Sequence, residues 1–206
     1  MPETLEPRRQ GNVAGDLKAD LETAEGAKDF VDGLGDVLRE IWYNKGTLPS
    51  IAYVLARYLP AMDGGVGEPM PHVVPVPLCV LLPDGRELTK DEFSHLIHML
   101  AEKSHAVGVV FASECWMVLA KPGEKVPHGD LEHVPGRTEG IFISLEHRKL
   151  RSPYGVFAEI TRKSEDDRGM LGTFTTMYEF LKAEPGAKGE MTRTEGRFTN
   201  FLKPQT

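Results

Sequence analysis

Apolar residues along this chain fall into helical spacing twice and into extended runs several times. Phe30, Leu34, Val37, Leu38, Ile41 and Trp42 recur every three or four positions, with Asp29, Asp32, Asp36, Arg39 and Glu40 opposite them. That spacing predicts an amphipathic helix. Gly33 and Gly35 each cost it up to about 1 kcal/mol, and Lys45 followed by Gly46 supplies a basic last turn and a stop. A second stripe, Phe93, Leu96, Ile97, Leu100 and Ala101, follows Thr89, with Glu92 three residues on as in a capping box. It predicts a helix over about 89–105. Val107 to Leu119, Gly140 to His147, Tyr154 to Lys163 and Leu171 to Phe180 read as strands, the last two joined by a hairpin at Glu165 to Gly169. The proline-interrupted run from Val73 to Leu82 suits an edge strand, after a glycine- and proline-rich loop from Pro60 to Pro71 and before a turn at Pro83-Asp84-Gly85. Ile51 to Leu59 fits both a helix begun by Ser50 and a buried strand, so periodicity alone leaves it open. The expected fold is α+β, with two main helices packed on one face of a largely antiparallel five- to six-stranded sheet.

The 206 residues suit one domain, expected over 26–182. Residues 1–25 hold six acids and three bases with few large apolar side chains, which predicts a disordered N-terminal segment. Residues 183–206 are rich in Gly, Thr and charge, with Phe198, Phe201 and Leu202 as the strong apolar points, and read as a flexible tail that orders only against a partner. Twenty-four basic and thirty-one acidic residues leave a net charge of −7, the wrong sign for broad nucleic-acid binding or for an anionic membrane. No apolar run approaches the roughly 20 residues of a membrane span, and the first residues lack a secretory signal pattern. Cys79 and Cys115 both lie in apolar segments and cannot make a disulfide-dense scaffold, so a reduced, cytoplasmic setting is expected.

Two polar groupings could carry chemistry. On the second helix Asp91, His95, His98, Glu102 and His105 fall within about 80° of one another, a spacing that could ligate a metal if another element added ligands. The polar side of any amphipathic helix must also be filled, and a solvated face is the plainer reading. The segment Lys121 to Arg137, with His128, Asp130, Glu132 and His133, offers metal ligands or a general acid and base on a glycine- and proline-punctuated loop, where a solvated loop is again the plainer reading. Asp63 to Glu68 is glycine-rich, but acids flank it and no Lys-Ser/Thr follows, so it is not a phosphate loop. The chain has no G-x-S-x-G, H-E-x-x-H or paired C-x-x-C motif.

Glu114 is the most informative single residue. In a strand from Val107 to Leu119 it alternates onto the same face as Val110, Ala112, Trp116 and Val118. A carboxylate among apolar neighbours needs a cationic or hydrogen-bonding partner, or a cleft to face. Arg137, just before the next strand, is the expected partner, and the plainer role for such a pair is fixing register between strands.

The elements SECWMV at Ser113 to Val118 and HVPGRTEGIFIS at His133 to Ser144 resemble a pattern in a loose group of bacterial and phage proteins. In these, a Ser-Glu-x-Trp-Met strand precedes a Pro-x-Arg-x-Glu loop and another strand. The resemblance covers about 90–165, with Cys115 where the group has alanine. It implies a strand after the Leu48-Pro49 pair, and it marks Glu114, Trp116, Arg137 and Glu139 as positions without assigning them an activity. The resulting expectation is a non-catalytic binding or accessory domain with a candidate patch at Glu114, Trp116, Arg137 and Glu139, no cofactor, and a protein as partner. The competing expectation is a small metal-dependent hydrolase or nuclease using His95, His98, Glu102 and His105, or the 121–137 loop. A structural component of a phage or mobile element is a third class.

Overall fold

The computed structural model describes residues 20–60, 66–79, 86, 88–118, 131, 133–164, 167–177 and 201–202. Helix α1 runs from Ala24 to Lys45. The Thr23 side chain caps it by accepting from the Gly26 N–H at 3.0 Å, and Gly46, at φ 73°, ends it by donating to the Trp42 carbonyl at 2.7 Å. Helix α2, Lys90–Lys103, begins at the expected capping box of Thr89 and Glu92.

Between and after the helices lie β1 (Ile51–Pro60), β2 (Val66–Pro77), β3 (Gly108–Met117), β4 (Thr138–His147), β5 (Tyr154–Thr161) and the two-residue strands β6 (Met170–Leu171) and β7 (Thr175–Thr176). They form one antiparallel sheet in the order β2-β1-β3-β4-β5-β6, with β7 also on β5. The α+β class holds: two helices pack on an open antiparallel sheet.

The placement of the helices differs from the expected single face. Phe30, Val31, Leu34, Leu38 and Trp42 of α1 pack with Leu55, Val110, Ala112, Ile141, Ile143 and Leu145. Phe93, Ile97 and Ala101 of α2 pack with Ala52, Val54, Val109 and Phe111. These are alternate residues of the same strands, so the helices cover opposite faces. The reason is visible in the segments IAYVLA and VVFA, which are apolar at every position and need cover on both sides.

Ile51–Pro60 is a strand, and part of the expected 60–71 loop is strand too, because β2 starts at Val66. Its prolines fit an edge. The Leu78 N–H donates to the Ser50 carbonyl at 2.8 Å, so Pro75 and Pro77, on alternate positions, fall where the backbone points away from β1 and needs no donor. The run expected from Leu171 to Phe180 gives only β6 and β7 among the described residues.

Described residues near each end of the chain join the packed body. Leu21 is 7 % exposed, and Glu22 receives two hydrogen bonds from Arg57. At the other end Phe201 is 3 % exposed against Phe111 and His98, and the Leu202 N–H donates to Glu146 at 3.2 Å. A single large aromatic can bury enough apolar surface to seat two residues of an otherwise polar segment.

Candidate functional site

The patch grows from one end of the central strands. Register pairs Glu114 with Ile141 and Trp116 with Glu139, and alternation from Val110, Ala112, Ile141 and Ile143 puts Glu114, Trp116 and Glu139 on the α1 side of the sheet. Three of the four candidate positions thus lie on two neighbouring strands, and Arg137 immediately precedes the second of them. Their pairing is not the expected one.

Glu114 Oε1 accepts from the Leu48 N–H. The β1–β3 ladder pairs Ile51 with Ala112, and continuing that register places Pro49 opposite Glu114. Proline has no N–H to offer, so the next donor back, on buried Leu48, is satisfied by a side chain in place of the ladder. Ser50 and Ser113 hydroxyls meet at 2.6 Å on the other face and close the same junction. Glu114 therefore fixes the entry of the chain into β1. No ion pair joins it to Arg137 among the described residues.

Arg137 instead lies over Trp116, its guanidinium carbon 4.6 Å from the ring centroid. The local sequence delivers it there. Val134-Pro135-Gly136-Arg137 is a turn closed by an Arg137 N–H to Val134 carbonyl bond of 3.4 Å, with Gly136 at φ 75°. Proline second and a positive-φ glycine third are what a type II turn requires. The guanidinium is exposed and makes no side-chain hydrogen bond or ion pair among the described residues, while Trp116 beneath it is half-buried.

Glu139 has its own cation. Arg162 donates to it twice, at 2.6 and 2.5 Å, and donates again to the carbonyls of Asp167 and Arg168 at 2.6 and 3.0 Å. The carboxylate raises the guanidinium's already high pKa further. Arg162 also sits 5.8 Å from the ring centre of Trp42, whose buried Nε1 makes no hydrogen bond among the described residues. Arg168 in turn donates to the Tyr43 carbonyl at 2.7 Å, tying the end of α1 to the β5–β6 connection.

Cys115 faces away from this patch. Its thiol is pushed up to about 11 by burial first and by the Glu114 charge second, so it is not a nucleophile at neutral pH.

The metal candidates do not converge. His95 and Glu102 are exposed, His98 lies tilted against Phe201 at 5.6 Å, and His105, with φ 48°, lies just beyond α2 edge-on to Tyr58 at 5.6 Å. Among the described residues no three His, Cys, Asp or Glu side chains gather as a metal would require. His128, Asp130 and Glu132 lie outside the described residues, and His133 is exposed.

Sequence reasoning missed Leu48, Trp42, Arg162 and Arg168. A partial signal existed for the first, since Pro49 announces a missing donor opposite a strand. Arg162 and Arg168 flank a hairpin and carried no signal separating them from ordinary surface bases. Comparison with protein-family models, with curated proteins and with solved structures finds no match. No described helix is long and apolar enough to cross a membrane.

Proposed function

We propose that this chain is a non-catalytic binding domain whose recognition surface is the Trp116–Arg137 shelf and whose partner is a protein. One observation carries the reading: an exposed guanidinium rests on a half-buried indole with its side-chain donors unspent among the described residues, while both neighbouring carboxylates are engaged elsewhere. Glu139 and Arg162 satisfy each other, and Glu114 holds the backbone of Leu48. Each acid thus already has a structural partner. An aromatic and an arginine fixed side by side are the residue types that concentrate binding energy at protein interfaces.

The test compares capture from a lysate of the source organism by the wild-type chain and by a Trp116→Ala/Arg137→Ala variant of matched thermal stability. A specific protein held by the wild type and lost by the variant is the expected result. Equal retention by both, or none by the wild type, overturns the proposal.

A further inference from the structure

We infer that the group received by Arg137 is a carboxylate on an acidic peptide segment, an inference that rests on the binding-domain reading above and names its ligand. Among the described residues three arginines lie around this end of the sheet, and their side-chain hydrogen bonds divide them. The donors of Arg162 point to Glu139 and to the carbonyls of Asp167 and Arg168. Arg168 is bound to the Tyr43 carbonyl. The side chain of Arg137, alone of the three, donates to no acceptor among the described residues, and its exposed guanidinium lies over the Trp116 ring, 4.6 Å from carbon to centroid. A planar guanidinium fork resting against an aromatic ring matches a planar, singly charged carboxylate in two parallel hydrogen bonds.

Charge selects the carboxylate over a phosphate. Glu114 and Glu139 stand on the same face, and the one guanidinium near them without an ion pair among the described residues balances one negative charge, not two. The chain's net charge of −7 does not forbid an acidic partner, because exposed charges beyond roughly 8 Å are largely screened at physiological ionic strength. The turn at Pro135-Gly136 limits how far the arginine can follow a ligand, so part of the ordering cost is met before binding.

The experiment pans a random linear heptapeptide library on the full chain and measures the enriched peptides, as synthetic ligands, against the wild type, Arg137→Lys, Arg137→Ala and Trp116→Ala. The expected peptides share an Asp or Glu. Arg137→Ala weakens them by about tenfold or more, and Arg137→Lys does nearly as much, because lysine keeps the charge but loses the fork and the stack. Changing the shared acid to its amide has the same effect, and C-terminal amidation distinguishes a side-chain carboxylate from a terminal one. Enriched peptides that carry no acid but are lost on Trp116→Ala overturn the carboxylate and leave the binding patch standing. Peptides indifferent to every variant, or no enrichment, overturn both.

Discussion

At the residue scale, Glu114 and Arg137 separate into a structural group and an available one, although one lies on β3 and the other just before its neighbour β4. Removing the acceptor with Glu114→Ala strands the buried Leu48 N–H and is expected to cost about 1–3 kcal/mol. Glu114→Gln, which keeps an acceptor oxygen, should cost less, and urea denaturation of the two variants checks the order. That Glu114 sits on a strand among apolar neighbours was legible in its alternation with Val110 and Ala112. Its partner was not, because the donor is a backbone N–H 66 positions away, which no side-chain pattern advertises. His147 makes a second residue-scale prediction. Buried on β4, the ring bonds through Nε2 to the Leu21 carbonyl and accepts the Lys149 N–H at Nδ1, both at 3.2 Å, with Glu22, Glu25 and Lys149 as the charges around it. Burial, partly opposed by the Leu21 bond, lowers its pKa below the ordinary 6.5. The unfolded chain therefore takes up the proton first as pH falls, so the stability present above 6.5 declines below it. Unfolding free energies measured between about pH 7.5 and about pH 5 should show this slope, and His147→Gln should flatten it.

At the scale of elements, what local chemistry governs was readable and what packing governs was not. The capping box at Thr89 marked the start of α2, and Gly46 marked the end of α1, since each terminus is decided by a few adjacent groups. The opposite-face placement of the helices depended on asking where each second residue of IAYVLA would go. Two glycines near the patch, one on β4 and one in the turn before it, test this distinction. A Cβ at Gly140 would collide with the Phe157 ring and the Ala158 carbonyl, so Gly140→Ala should disrupt the β4–β5 pairing severely. At Gly136 a Cβ would meet nothing within 4 Å, leaving only the cost of φ 75°. Gly136→Ala should thus lose about 1–2 kcal/mol with the far-ultraviolet circular dichroism unchanged, and a loss as large as that of Gly140→Ala would contradict the open geometry of the turn.

At the scale of the whole molecule, a sheet covered by one helix on each face has more apolar surface to close than two helices can reach, and the far C-terminal residues supply part of the difference. Phe201 lies beside Phe111 and His98 on the α2 side, in the same apolar layer as Phe93 and Ile97. Phe201→Ala should cost about 3 kcal/mol or more, read as a lower denaturation midpoint with the patch around Trp116, on the opposite face, still binding. Composition had assigned this end to solvent because its mean character is polar, and a mean hides one well-placed ring. The practical result concerns any shortened version of the protein. Trimming at residue 182, where the sequence alone would draw the boundary, cuts away a stopper together with what looks like packaging, and the remaining fragment would carry a greasy dent prone to self-association in preparations meant to be simpler than the original.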